Sequence, residues 1–205
     1  MGTFNDKVAM AIEKNGIVKL DQFSWIRKPK RHEIKDETLL LTTEPETDLW
    51  MRTFYPMVTV NAPVCYVETD LESFTFTLKT EFSDAGAQYD QCGVCVYLDD
   101  DNWLKASVES GNESENYLGA VVNTDGYSDW SSNPISPSVT QIWYQLTRKG
   151  TDFQVMYSLD SKRYSVLRAC HMKDATGRIK VGMYACSPSK EGQFTAIFSD
   201  LSFSK

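Results

Sequence analysis

The chain from Phe23 onward alternates between short runs of β-branched and aromatic residues and clusters of turn-forming residues. Many of these runs place apolar side chains at every second position, which is the period of a half-buried strand. Repeated short strands of this kind are typical of a sandwich or a barrel. The predicted strands are Thr38–Thr43, Pro63–Glu68, Ser73–Phe82, Gln91–Leu98, Trp103–Ser110, Tyr117–Asn123, Gln141–Lys149, Thr151–Ser158, Tyr164–His171, Ile179–Ala185 and Gln193–Phe203.

The segment before these strands carries the one helix that the pattern predicts. It covers Lys7–Lys14 and is followed by the stop signal Asn15–Gly16. We find no linker, repeat or low-complexity tract, so we expect one domain over residues 1–205. The most irregular stretch, Ser131–Pro137, is interpreted as a loop because it is rich in serine and proline.

Two neighbouring strands, Gln91–Leu98 and Trp103–Ser110, have one apolar face and one mixed face. The turn Asp99–Asn102 would join them as a hairpin, which brings their like faces together. The apolar face, interpreted as core, carries Cys92, Val94, Val96, Leu98, Leu104, Ala106 and Val108. The mixed face carries Gln91, Gly93, Cys95, Tyr97, Trp103, Lys105, Ser107 and Glu109.

The mixed face has two interpretations. It is either a solvated outer surface with ordinary cross-strand pairs, or a binding face that offers flat aromatic rings and directional polar groups. The segment Asp48–Arg52 alternates in the same way and puts Asp48, Trp50 and Arg52 together. We expect Trp50 and Trp130 to face a ligand, because each lies among charged residues.

Five short motifs follow one another along the chain, namely Asp48–Arg52, Tyr89–Gly93, Asn102–Ala106, Ser128–Ser131 and Ala185–Pro188. Their order resembles the "regulation of enolase" family, otherwise a domain of unknown function with the concanavalin-A-like lectin/glucanase fold. The resemblance covers about residues 23–204. It implies an all-β, two-sheet antiparallel jelly-roll sandwich, and it implies a carbohydrate-like ligand on the concave face. The implied ligand-binding residues are Trp50, Arg52, Tyr89, Asp90, Gln91, Lys105, Glu109, Asp129 and Trp130.

The composition and net charge of the chain restrict the classes of binding partner. The chain has 205 residues and a net charge of −7, which disfavours binding to nucleic acid or to an anionic membrane surface. The start of the chain lacks the pattern of a signal peptide, and the number of cysteines is odd. We therefore expect free thiols and a cytoplasmic location.

Catalysis on a glycosidic bond requires two carboxyl groups that flank the bond. The Glu-x-Asp-x-Glu strand motif of glucanases with this fold is absent. Glu109 and Asp90 remain candidates for an acid and a base that converge from neighbouring strands. The alternative is that both carboxylates pair with Lys105 and Arg52 and have no catalytic role.

No metal or cofactor is expected. Cys92 and Cys95 have metal-like spacing, but residues three apart on a strand face opposite sides. The two histidines, His32 and His171, stand in no ligand cluster, and Asp99–Asn102 lacks the glycine of a calcium loop.

The sequence thus favours a non-catalytic protein that binds a carbohydrate-like or other small polar ligand. Trp50, Tyr89 and Trp130 would stack on this ligand, and the polar residues of the implied set would hydrogen-bond it. Two alternatives stay open. One is an enzyme that acts on a sugar or sugar phosphate through Glu109 and Asp90, and the other is a module that docks onto a protein partner.

Overall fold

A computed structural model describes residues 19–112 and 114–204. The predicted helix Lys7–Lys14 lies outside the described residues. Within them the helical segment is a single 3-10 turn, Leu20–Gln22. Among these residues no helix has the length and apolarity that a membrane crossing requires.

Two seven-stranded antiparallel sheets form the body of the protein. We call the first the front sheet. In spatial order its strands are β1 (Ser24–Ile26), β6 (Val64–Thr69), β15 (Ile179–Cys186), β8 (Gln91–Asp99), β9 (Asn102–Glu109), β10 (Asn116–Thr124) and β11 (Tyr127–Ile135).

The second sheet is the back sheet, and a separate hairpin completes the fold. In spatial order the strands of the back sheet are β14 (Ser165–His171), β13 (Asp152–Ser158), β12 (Gln141–Lys149), β7 (Ser73–Glu81), β16 (Thr195–Ser204), β3 (Thr38–Thr42) and β2 (Arg31–Lys35). The hairpin consists of β4 (Leu49–Met51) and β5 (Val58–Val60) and belongs to neither sheet.

This architecture confirms the predicted two-sheet antiparallel sandwich, and each predicted run is a strand to within a few residues. The interpretation of Ser131–Pro137 as a loop is wrong, because β11 continues through Ile135. Pro134 is tolerated there because β11 is the edge of the front sheet and pairs only with β10.

The main core lies between the two sheets. Alternate side chains of β8 and β9, including Cys92, Val94 and Leu104, point into it and are fully buried. They meet residues such as Phe76 and Phe198 from the back sheet. The predicted apolar face of the β8–β9 hairpin is therefore the core face.

A second apolar cluster lies on the opposite, outer face of the front sheet, under the β4–β5 hairpin. This corrects the expectation of an open polar face there. Trp103 and Cys95 are fully buried in the cluster, so Cys95 lines no exposed surface. The members are Leu49, Trp50, Ala62, Val64, Cys95, Tyr97, Trp103, Val121, Tyr184 and Cys186.

Candidate ligand-binding cavity

A cavity of about 370 Å³ opens on the outer face of the front sheet, beside the second apolar cluster. This volume falls in the range of about 300–1,000 Å³ that small-molecule sites occupy. The lining residues are Asp48, Trp50, Tyr55, Met57, Gln88, Tyr89, Gln91, Lys105, Glu109, Val121, Trp130, Pro188 and Ser189.

The register of the front sheet explains why distant residues share this cavity. Lys105 pairs with Cys95 on one side and with Val121 on the other, and Val121 pairs with Trp130. Directly paired residues point to the same side of a sheet. One row across the sheet therefore leads from the second cluster to the aromatic wall of the cavity.

Lys105 is at the centre of a buried polar network on the cavity floor. Its Nζ atom donates hydrogen bonds to Asp48 Oδ1 at 3.2 Å and to Gln91 Oε1 at 2.9 Å. The hydroxyl of Tyr184 donates to the same Gln91 oxygen at 2.8 Å and is also hydrogen-bonded to Ser107 Oγ at 2.7 Å. These bonds hold the amide of Gln91 and the ammonium of Lys105 in fixed positions.

The charge state of Lys105 follows from two opposing effects. Burial alone would lower the pKa of its ammonium group, because desolvation disfavours the charged form. The nearby carboxylate of Asp48 is the largest effect that opposes burial, and with smaller contributions from Cys186 and Glu109 it raises the pKa above its ordinary value. Lys105 is therefore a buried cation at neutral pH.

Glu109 is a carboxylic acid at the cavity wall, with only 6% of its surface exposed. Burial raises its pKa to about 7; the charge of Lys105 opposes this rise, and the charge of Asp48 adds to it. Among the described residues, no side chain donates a hydrogen bond to the Glu109 carboxyl group in the way that Lys105 and Tyr184 donate to Gln91. Near neutral pH this group both donates and accepts, and both capacities are open to a ligand.

Aromatic side chains form another part of the cavity lining. The rings of Trp50 and Trp130 are nearly perpendicular, with centroids 6.4 Å apart, and Tyr55 meets Trp50 edge-on at 5.9 Å. Trp130 is 37% exposed and Tyr89 is 41% exposed, so each presents surface towards the opening. Trp50 also lines the cavity, but only 9% of its surface is exposed.

Gly93 allows the floor to form. It lies between Tyr184 on β15 and Ser107 on β9, and the Tyr184 side chain reaches across it to bond Ser107. A Cβ atom at Gly93 would collide with the backbone of Ala106. A residue without a side chain is therefore required at this position.

Most of the sequence-predicted ligand-binding residues meet at the cavity, namely Trp50, Tyr89, Gln91, Lys105, Glu109 and Trp130. Three others lie outside its lining. Arg52 points away and donates from Nη1 to the carbonyl of Gly126 at 2.8 Å. Asp90 is buried in a turn, where Oδ2 accepts from the backbone N–H groups of Gly86 and Ala87.

Asp129 is the third such residue, and alternation explains its place. It pairs with Val122, which points into the main core, whereas its neighbour Trp130 points outward. At the edge of the sandwich its carboxylate accepts a 2.8 Å bond from Arg168 on β14 of the back sheet. Of the two carboxyl groups considered for catalysis, Glu109 therefore lines the cavity and Asp90 does not.

The cavity also contains residues that the sequence analysis did not assign to a site. Asp48 was placed with Trp50 by alternation, and this was the signal that it belonged to the set. Tyr55 and Met57 come from the loop between β4 and β5. No local sequence pattern predicts that this loop reaches the cavity. Gln88, Val121, Pro188 and Ser189 complete the set.

Cys92 and Cys95 lie on opposite faces of β8, Cys92 in the main core and Cys95 in the second cluster. All five cysteines are free thiols. In residues 19–112 and 114–204 no group of three or more histidine, cysteine, aspartate or glutamate side chains is arranged to hold a metal ion.

The fold and the cavity define a jelly-roll β-sandwich protein with a closed core and a second, outer cluster beside a cavity. The chain belongs to the DUF1349 family of proteins of unknown function, whose family model matches residues 25–205. It is 30% identical over 173 residues to "Regulation of enolase protein 1" of Saccharomyces cerevisiae, an alignment covering 84% of this chain and 85% of the yeast protein. The family resemblance seen in the sequence motifs is thereby confirmed.

Solved structures share the fold of this chain. A functionally unknown protein from Saccharomyces cerevisiae superimposes with a TM-score of 0.83 at 29% identity, over 91% of this chain and 97% of that chain. Xyloglucan PUL GH43B of Bacteroides ovatus superimposes with a TM-score of 0.70 at 16% identity, over 88% of this chain and 36% of that chain. The second likeness concerns the fold alone.

Proposed function

We propose that this protein binds a small, uncharged, carbohydrate-like ligand in the cavity. The observation that carries the proposal is the pairing of aromatic walls with a floor of buried hydrogen-bonding groups. Trp130 and Tyr89 offer flat apolar surface for one face of a sugar ring, while Lys105, Gln91 and Glu109 offer polar atoms for its hydroxyl groups. The proposed role is binding without catalysis.

The charges of the floor favour an uncharged ligand. The positive charge of Lys105 is offset by Asp48 at 3.2 Å, so little of it is left for an anion. Glu109, with a pKa of about 7, alternates between a neutral and a negative form near physiological pH. A hydroxyl group suits both forms, because it can accept from the acid and donate to the carboxylate.

The free thiols suit a reducing compartment, and we propose the cytoplasm. The structure-based likeness to Xyloglucan PUL GH43B makes glycans a sensible first set of probes. The proposal itself rests on the chemistry of the cavity.

A glycan array followed by calorimetric titration tests this function. We expect the wild type to bind at least one neutral glycan, and we expect Trp130→Ala to weaken that binding by about tenfold or more, as loss of a central aromatic contact does. The matched control is Trp143→Ala, because Trp143 lies on β12 of the back sheet, away from the cavity. An array without any bound glycan, or equal losses in the two variants, would refute the proposal.

Glu109 also supports a second function, hydrolysis of a glycosidic bond. A carboxyl group that keeps its proton near neutral pH is what a general acid requires. Asp90 cannot be its partner from its place in the turn, whereas Asp48 lines the same cavity. If glycans found on the array are cleaved, Glu109→Gln should abolish turnover and retain binding; unchanged turnover in this variant would exclude the role.

A further inference from the structure

A continuous series of aromatic contacts leads from solvent into the cavity. Phe54 meets Tyr55 with ring centroids 5.0 Å apart, Tyr55 meets Trp50 at 5.9 Å, and Trp50 meets Trp130 at 6.4 Å. Exposure falls from 89% at Phe54 to 48% at Tyr55 and 9% at Trp50, and it is 37% at Trp130 on the far side of the cavity. We call Phe54 and Tyr55 the outer aromatic pair.

Two residues of the loop, one of them Phe54 of the outer aromatic pair, have an unusual backbone conformation. Phe54 has a φ of 61° and Arg52 a φ of 58°, in the left-handed region that side chains other than glycine rarely adopt. Such conformations persist where the surroundings enforce them, and they cluster at ligand-binding sites. An 89% exposed phenylalanine kept in this conformation gains no burial that would account for it.

Several contacts fix the loop that carries the pair. The N–H groups of Thr53, Tyr55 and Met57 each donate to the carbonyl two residues before them, at 2.6–2.7 Å. Arg52 is anchored through its bond to Gly126, and the Trp50 Nε1 atom lies 3.5 Å from the Tyr55 carbonyl. These hydrogen bonds therefore fix the loop that carries the rings of Phe54 and Tyr55.

We infer that the outer aromatic pair is a second subsite for an oligosaccharide whose terminal ring occupies the cavity. This inference rests on the proposed function, because it extends the same ligand outward. Tyr55 makes the aromatic series continuous, because it lines the cavity, contacts Trp50 inside it and contacts Phe54 outside it. A ligand chain leaving the cavity past Tyr55 meets Phe54 next, and a ring face on Phe54 recovers the apolar area that is otherwise left in water.

The test compares glycans of one sugar that differ only in length, from the monosaccharide to the hexasaccharide, with titration of each against the wild type and three variants. We expect the wild type to bind the trisaccharide about tenfold more tightly than the monosaccharide. Phe54→Ala should remove most of this gain and leave the affinity for the monosaccharide unchanged. Phe54→Trp should retain the gain, and Leu159→Ala, which removes an exposed apolar side chain from a different turn, should behave as the wild type.

The outcomes separate this inference from the proposed function. If the monosaccharide binds and Phe54→Ala leaves the length dependence intact, the second subsite is wrong and the cavity function stands. If no glycan of any length binds, both are wrong. If light scattering instead shows a dimer of the wild type that Phe54→Ala dissociates, the pair is a contact between copies of the chain and the subsite is overturned.

Discussion

The ammonium group of Lys105 lies 3.2 Å from a carboxylate oxygen of Asp48, and the two side chains are only 3% and 13% exposed. Lys105 belongs to β9 of the front sheet, and Asp48 immediately precedes β4 of the separate hairpin. The pair thus attaches the hairpin to the sheet through a buried ionic contact. Because Lys105 is buried and Asp48 is largely so, each charge depends on the other for much of its compensation.

We expect Lys105→Met to destabilise the fold by about 3–5 kcal/mol, because it leaves the Asp48 carboxylate buried without its partner. Urea-induced unfolding of the variant measures the loss. The double variant Asp48→Asn with Lys105→Met removes both charges and should recover part of the stability. A single-variant loss below about 1 kcal/mol would mean that the pair is effectively solvated.

Glu109 makes stability depend on pH. Its pKa is raised from 4.5, the ordinary value of a glutamate side chain in water, to about 7 in the fold. Between these two values the folded protein therefore holds a proton that the unfolded chain has lost. The contribution of this group to stability is fully present below pH 4.5 and is lost as the pH rises through 7.

The loss amounts to at most about 3 kcal/mol. In Glu109→Gln no proton is exchanged, so its stability relative to the wild type should increase between pH 5 and pH 8. Denaturant midpoints measured across this interval for both proteins test the expectation. Parallel pH profiles would show that Glu109 titrates normally.

Gly93→Ala should destabilise the front sheet by about 1–3 kcal/mol, because the added methyl group meets the Ala106 backbone, which cannot move without breaking the β8–β9 pairing. Gly86→Ala is the matched control, since no heavy atom lies within 4 Å of a Cβ built there. Thermal unfolding should distinguish the two variants. Equal melting temperatures would contradict the close approach at Gly93.

Arg148 provides a test of stability away from the cavity. Its buried guanidinium group donates to the carbonyls of Gly150, Leu71, Gly177 and Ala175, at 2.8, 3.0, 3.1 and 2.7 Å. Arg148→Met leaves these carbonyls without that donor and should cost about 3 kcal/mol or more. Ligand affinity at a temperature where the variant is folded should not change, and a selective loss of affinity would disprove this separation.

The strands of the sandwich could be predicted because their side chains alternate over enough residues to show the pattern. Short strands such as β1 and β5 give too few positions for alternation to be visible. The proline and serine residues of β11 conceal a real strand, because an edge position relaxes the requirement for a backbone donor at Pro134. Local composition therefore misleads where the position of a strand in the sheet decides the outcome.

The site could be predicted where its residues share one face of regular strands, as Gln91, Lys105 and Glu109 do. The prediction that Asp90 lies with them was wrong, because Asp90 stands just outside the regular strand. Asp90 precedes β8 and turns back to bond the Gly86 and Ala87 backbone. The covering of the mixed face by the β4–β5 hairpin is a tertiary event, and no short-range pattern at Trp103 or Cys95 encodes it.

In the described residues the strands of the β4–β5 hairpin pair only with each other, and this has an evolutionary consequence. The loop 52–57 supplies Tyr55 and Met57 to the cavity, yet it forms no strand of the front sheet or the back sheet. Replacements in this loop would change the proposed ligand specificity, while the scaffold that carries Lys105 and Gln91 is inherited unchanged. New specificities can therefore arise here by exchange of a few codons, which makes this loop the natural place to diversify in a directed-evolution library.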